Sequence, residues 1–502
     1  MKVNRWPPLQ RLWEQVLASR IATGTAWSLL GTGVTTVSQM VQTILLARFL
    51  GVEVFGMLGL WSTTVSMVGS LAGMGLSATA TKYIASARGK HSEDVYPLML
   101  VCTGASVGSS LLVGALMAAL APFLAGVVLK VPALEGEVYW AIPLLLTTSL
   151  GGTLTGVLAG FERFREIAFV TVLRACVAVL LVPVAAYWGG LRAVVVSRSV
   201  VSIIGLLYML YWVRRIAGRT FRRPRWSEIR PHLGILHRFA LPAMLGSLSV
   251  TPVYWVINAI LMRSPDGLTA VAVTSAVNKW RQVLRILPGL LGSVMLPVLS
   301  STHAACEEQE DSEAIGLLSQ LQSLVGAITV PLAVLMIGLA RQLMMLYGGD
   351  FGGSAEVLVL VVLAVAIYAI GMPVGTALPA FGRMWQGTTI NLLWGLVLIG
   401  VTYTLIDHGA LAYGIGMAAA HVLSTLLPFV ALPAAVHRKA LPYQLGTTVA
   451  LFGLAAMRLW IDRVSWPLFW GVGLAIIAIN CLLVFKRLDL GLGRAAPEAA
   501  ET

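Results

Sequence analysis

Residues 278–285 read NKWRQVLR and place three cations in eight residues. Arg281 and Arg285 are one helical turn apart, so in a helix their guanidinium groups share a face. Thr274, Ser275, Asn278, Arg281, Gln282 and Arg285 follow steps of three and four, with Lys279 at the edge of that face. Guanidinium forks grip oxyanions bidentately, and a lysine adds a point charge. The apolar segments nearby contain almost no acid to pair with them: Glu53, Glu162, Asp266, Asp407 and Asp462 fall at segment ends or in loops. The pattern therefore describes a net cationic site for a mobile anion. It suits a cation exchanger built on intramembrane carboxylates poorly.

These cations must be carried through a membrane. The chain has 502 residues, is 58% hydrophobic and 11% charged, whereas a soluble domain carries roughly 25% charge. A span needs about 20 largely apolar residues, and the sequence predicts fourteen: 22–47, 54–77, 94–118, 138–160, 167–188, 192–212, 239–262, 269–298, 314–340, 355–381, 387–406, 410–435, 445–462 and 466–485. The expected fold class is an all-α polytopic membrane protein. Measured from residue 269, Lys279 lies ~15 Å deep and Arg285 ~24 Å deep at ~1.5 Å per residue, so the three cations bracket the centre of a ~30 Å core. A cation at the bilayer centre costs at least about 2.5–3.5 kcal/mol, which argues for a purpose.

Charge also orients the chain. With both termini cytoplasmic, 23 of the 35 Lys and Arg fall inside, seven outside and five within spans, as the positive-inside bias requires. That bias accounts for most of the +13 net charge, and no nucleic-acid partner is expected. Residues 1–21 read as a basic amphipathic helix on the inner surface rather than a cleaved signal. Residues 213–238 form a basic linker that includes Trp226 and suits anionic headgroups; 489–502 are expected to be a disordered cytoplasmic tail. Cys102, Cys176, Cys306 and Cys481 are isolated, which predicts packing rather than metal binding.

The halves resemble each other weakly. VLAGFERF (157–164) aligns with ALPAFGRM (377–384) at an offset of 220, and ILLARFLG (44–51) with AILMRSPDG (259–267) at about 215. This implies two six-helix lobes, 22–212 and 239–435, related by a parallel repeat, with spans thirteen and fourteen (436–488) as an addition. Polar faces mark the helices expected to line a hydrated cleft: Gln39 and Gln42 in the first span, with Arg48 at its outer end; Ser247, Thr251, Tyr254 and Asn258 in the seventh; Thr63, Ser66 and Ser70 in the second. Arg174 and Arg198 either join that cleft or snorkel to an interface. His421, deep in the twelfth span, is expected to pack between helices rather than relay protons.

No nucleophile elbow, HExxH or P-loop is present, so neither catalysis nor a cofactor is expected. At this point the runs ILLARFLGVEVFGMLGLWSTTVSMVGSLAGMGLSATATKYIA (44–84), GVLAGFERFREIA (156–168), VMLPVLSS (294–301) and LPAFGRMWQ (378–386) carry a resemblance. The chain resembles the oligosaccharide/O-antigen flippases of the multidrug/oligosaccharidyl-lipid/polysaccharide exporter superfamily. That resemblance implies two lobes forming a V, alternating access in the inner membrane, and an undecaprenyl-pyrophosphate-linked oligosaccharide as cargo. Arg281, Arg285 and Lys279 would then hold the pyrophosphate, and hydroxyls and amides the sugars. Membrane lipids, a polysaccharide polymerase and glycosyltransferases are the partners it implies. A lipid II flippase, a drug/cation antiporter of the same superfamily and, more distantly, a membrane glycosyltransferase are the alternatives.

Overall fold

A computed structural model describes residues 20–73, 75–90, 94–217, 225–240, 243–244, 250–305, 311–380, 383–432, 434–460 and 466–492. Nearly all of the expected N-terminal amphipathic helix, most of the polar tail and the middle of the basic linker lie outside them. The described residues contain helices and turns and no strand. Apolar runs of this length must satisfy every backbone group internally, and the helix does so within one segment.

The long helices are α1 (Arg20–Gly73), α2 (Leu76–Gly89), α3 (Val95–Phe123), α4 (Glu135–Gly160), α5 (Phe164–Ala217), α6 (Thr251–Leu261), α7 (Gly267–Ala305), α8 (Asp311–Gly338), α9 (Ala355–Ala380), α10 (Met384–Thr404), α11 (Ala410–Ala431), α12 (Ala434–Trp460) and α13 (Trp466–Leu492). Two of them are broken: α1 at Gly51 (φ 76°) and α5 at Gly189–Gly190 (φ 58° at Gly190). Among the described residues, ten helical stretches are long and apolar enough to cross a membrane. The fourteen spans of the sequence reading add the second arms of α1 and α5, the short α6 and the charged α7.

The repeat is visible in the backbone. The amide of Arg163 donates to Leu158 O at 2.9 Å, and that of Arg383 to Leu378 O at 2.8 Å, pairs 220 residues apart. Gly190 (φ 58°, ψ −147°) and Gly409 (φ 56°, ψ −131°) take one conformation 219 residues apart. Left-handed residues also recur at Gly51 and Gly267, and at Lys130 and Gly348. Each pair closes or opens corresponding helices, so the repeat lies in turns as well as in spans.

The chain forms two compact units, one of Met1–Leu50 with Leu60–Pro252 and one of Gly51–Gly59 with Val253–Thr502. In the first unit α2, α3, α4 and α5 pack together around a core that includes Ile84, Cys102, Leu154, Leu158 and Met209. Gly156 and Gly160 let α4 approach α2: a methyl on Gly156 would strike the Ser77 carbonyl. The described end of the basic linker belongs to this unit, held by a contact between His232 Nε2 and Asp94 Oδ1 at 3.3 Å and, just beyond it, by Lys82 over the Phe239 ring at 4.2 Å.

In the second unit α9 is the central helix, packed by α7, α8, α11 and α12. Its run VLVLVVLAVAIYAIG is apolar all round, as a helix enclosed on every side must be, and 83% of its most apolar window is buried. The two C-terminal helices dock here through buried amides. Gln322 donates to Gln444 Oε1 at 3.1 Å, Gln444 to the Ile367 carbonyl at 3.1 Å, Tyr443 to Asn480 Oδ1 at 2.7 Å and Asn480 to the Gly326 carbonyl at 3.1 Å.

Candidate functional site

The cationic face of α7 belongs to the second unit. A tight turn delivers it: α6 ends at Leu261, the Gly267 amide donates to Ser264 O at 3.1 Å, and Gly267 takes φ 43° as α7 begins. The upper part of the polar stripe is used for packing. Thr274 is buried and bonds back to the Val271 carbonyl, and a methyl on Gly59 would run into Ser275 Oγ. One turn further on, Asn278 accepts from the Tyr413 hydroxyl at 2.7 Å.

The two arginines are held by aromatic groups. Arg281 donates to the Tyr254 hydroxyl and its guanidinium carbon lies 4.6 Å from the centre of the same ring. Arg285 lies 5.3 Å from the Tyr368 ring centre. Neither forms an ion pair with a carboxylate among the described residues. The buried Nε–H of Arg281 has no acceptor among the described residues, which leaves its fork donor capacity for an anion. Gln282 and Arg285 are exposed, while Asn278, Lys279 and Arg281 are half-buried. Behind the arginines, Tyr254 meets Trp394 edge-on at 5.8 Å, and His421 stacks on Trp394 at 5.6 Å and on Tyr368 at 4.9 Å. His421 packs between helices, as the sequence suggests. Asn258 is buried one turn from Tyr254 on α6.

An arginine pair supported by ring faces can exchange those contacts for an anion. Cation–π contacts are worth roughly 0.5–2 kcal/mol, and charge-assisted hydrogen bonds about 1.5–3 kcal/mol each. The chemistry on offer is recognition of an oxyanion, with no nucleophile or acid–base pair assembled at it.

The remaining expected residues belong to the first unit, where Gln42, Arg198 and Arg174 have local work. Gln42 is buried and donates to the Ala178 carbonyl at 2.9 Å, which ties α1 to α5. Arg198 donates to Ser62 Oγ at 2.9 Å and lies 5.8 Å from the Trp61 ring centre. The Arg174 side chain lies across Gly205, where a methyl would strike it. Gln39 and Arg48 are exposed on α1. Sequence reasoning left out Tyr368, Trp394 and Tyr413. Their signal was an aromatic residue inside an otherwise apolar span, which lipid-facing helices also carry.

A bundle of long apolar helices, one of them bearing a cationic face with no acid paired to it among the described residues, defines a class, the multi-spanning membrane proteins, and solved structures share this fold. An inward closed lipid II flippase MurJ superposes with a TM-score of 0.69 at 12% identity, covering 92% of this chain and 99% of that one. An inward-facing multidrug resistance MATE family transporter of the MOP superfamily gives 0.63 at 17% identity, covering 81% and 96%. Residues 21–303 match the family described as polysaccharide biosynthesis protein, more than half of the chain, and the chain belongs to that family. It is 25% identical over 211 residues to the EPS I polysaccharide export inner membrane protein EpsE of Ralstonia nicotianae, and 22% over 205 residues to that of Ralstonia solanacearum. The matched regions span 48% and 46% of those two relatives.

Proposed function

We propose that this protein flips a lipid-linked oligosaccharide across the bacterial inner membrane for surface polysaccharide export, by alternating access. Arg281 and Arg285, with Lys279 beside them, hold the pyrophosphate that joins glycan to lipid. Asn278 and Gln282 offer amides to the sugars, Asn258 supports them from α6, and the polyprenyl chain stays in the bilayer. Both termini face the cytoplasm. Glycosyltransferases and a polymerase act before and after it.

One observation carries this reading: two guanidinium groups a turn apart on α7, one half-buried and one exposed, are held by aromatic rings and by no acid among the described residues. A drug/cation antiporter gains nothing from such a pair. Lipid II carries the same pyrophosphate, and the likeness to MurJ keeps it as the second reading.

The test is substitution with four readouts on each variant: expression, thermal stability, affinity for a lipid-linked pyrophosphate, and export. Arg281→Ala and Arg285→Ala should each lose about 10- to 150-fold in affinity, the equivalent of one charge-assisted contact of roughly 1.5–3 kcal/mol. The protein should remain folded, because an unpaired cation burdens the empty bundle. Normal export by the double Ala variant would sink the reading. Rescue of a lipid II flippase depletion, without polysaccharide export, would favour the second one.

A further inference from the structure

His421 completes a circuit of side chains between the two arginines. Arg281 lies over Tyr254, Tyr254 meets Trp394, Trp394 stacks on His421, His421 stacks on Tyr368, and Tyr368 lies beneath Arg285. The imidazole is 5% exposed, and its Nδ1 has no hydrogen-bond partner among the described residues. A buried nitrogen without a partner is unusual enough to need an explanation. The charged and titratable groups around it come from four helices. α7 brings Arg281 and Arg285, with Lys279 on the same helix; α6 brings Tyr254; α9 brings Tyr368; and α11 itself brings Tyr413. α10 contributes only the Trp394 ring near His421, and Tyr443 of α12 is engaged with Asn480. No carboxylate is bonded to His421, Arg281 or Arg285 among the described residues.

We propose that His421 is a proton-binding site coupled to substrate loading: it is neutral while Arg281 and Arg285 stand without an anion, and it takes up one proton when a pyrophosphate binds them. The proposal rests on the pyrophosphate reading above. In the empty site, a protonated His421 would be a third cation in one circuit of contacts inside a low-dielectric bundle, where like charges repel strongly. A disubstituted pyrophosphate brings two negative charges and cancels the guanidinium pair. The remaining cost of the imidazolium is offset by its position between two ring faces, each of which attracts a cation. The proton comes from water on the loading side and leaves with the substrate on the other. No bond to the substrate is made or broken.

The direction of the effect follows from linkage. The loaded protein holds the proton more firmly than the empty one, so binding tightens as the pH falls. For a single proton the slope is at most about tenfold in Kd per pH unit.

The experiment uses the full chain in nanodiscs and a farnesyl-pyrophosphoryl sugar, a diester that does not itself titrate from about pH 5.5 to 8, the range in which histidine changes charge. Affinity is measured across that range, and proton uptake is read by calorimetry in two buffers of different ionisation heat. The wild type should bind more tightly at low pH and take up as much as one proton per ligand. His421→Gln should lose both the slope and the uptake. His421→Phe, which keeps the ring stack, should behave like it and serves if the Gln variant does not fold. Binding by the wild type that is independent of pH and takes up no proton overturns the coupling and leaves the pyrophosphate site standing. An unchanged slope in both variants also overturns it. Absence of binding by the wild type at every pH overturns the site and the coupling together.

Discussion

A guanidinium resting on a tyrosine ring is held more loosely than one paired to a carboxylate. Cation–π contacts give roughly 0.5–2 kcal/mol, whereas breaking a buried ion pair costs about 3–5 kcal/mol. Arg281 over Tyr254 and Arg285 over Tyr368 are thus ordered yet available to an anion. Lysine retains the charge and loses the fork, so export by Arg281→Lys and by Arg285→Lys is expected to lie between wild type and Ala in a dose-matched assay. Equal loss from Lys and Ala would show that charge alone counts for nothing there. Tyr413 has a different role, as donor to Asn278. Tyr413→Phe should leave Asn278 Oδ1 short of a partner at about 1–3 kcal/mol, visible as a lowered melting temperature in detergent. An unchanged melt would mean that water replaces the hydroxyl. The charges of NKWRQVLR were legible in the sequence because cations are rare in apolar runs. Tyr368 was not, since in VLVLVVLAVAIYAIG it differs in no way from an aromatic residue that merely fills space.

At the scale of helices, the landmarks that carry the family resemblance are places of close approach. In GVLAGFERF, Gly156 and Gly160 face α2 backbone and the Ile84 side chain. In GVEVFGMLGL, Gly56 faces the Leu268 carbonyl and Gly59 faces Ser275, both on α7. A side chain can swing away from an intruding methyl, but a backbone carbonyl moves only with its helix. Gly156→Leu is therefore expected to abolish recovery of monodisperse protein, and Gly104→Leu, where the space is open, to be harmless. Similar yields from the two would refute that contrast. Spans thirteen and fourteen were legible as helices but not as part of a lobe. Their attachment rests on Gln322, Gln444, Tyr443 and Asn480, single polar residues whose partners lie 37 to 154 positions away, and no periodicity reports such pairings. Asn480→Leu would strand the Tyr443 hydroxyl and the Gly326 carbonyl. Interhelical bonds of this kind average about 0.6 and reach about 2 kcal/mol in membranes, so a modest fall in melting temperature is expected, with Tyr443→Phe adding little on top of it. Full additivity of the two substitutions would mean that they do not share one interaction.

At the scale of the whole molecule, the parallel repeat and the distribution of charge constrain topology independently. In the sequence the repeat rested on a few aligned positions. In the backbone it recurs in the Leu158–Arg163 and Leu378–Arg383 bonds and in the matching conformations of Gly190 and Gly409. Such turns leave little sequence signal, because a hydrogen bond to a carbonyl five residues back can close a helix before many residue types. A parallel repeat requires the first and seventh spans to start on the same side, and hence an even number of spans per half. Of the 35 Lys and Arg, 23 fall on one side of the fourteen-span reading, and that side should be cytoplasmic. The exposed residues Ser227, in the linker, and Asp350, between α8 and α9, then lie on opposite faces of the membrane. With the four native cysteines replaced, a cysteine at Asp350 should react with an impermeant thiol reagent in intact spheroplasts. A cysteine at Ser227 should react only after lysis. Reaction of both in intact spheroplasts would break the even count, and the reverse pattern would invert the protein. Either result would leave the arginine pair in place but change the side from which it loads, because the depth of Arg285 is counted from the outer end of α7.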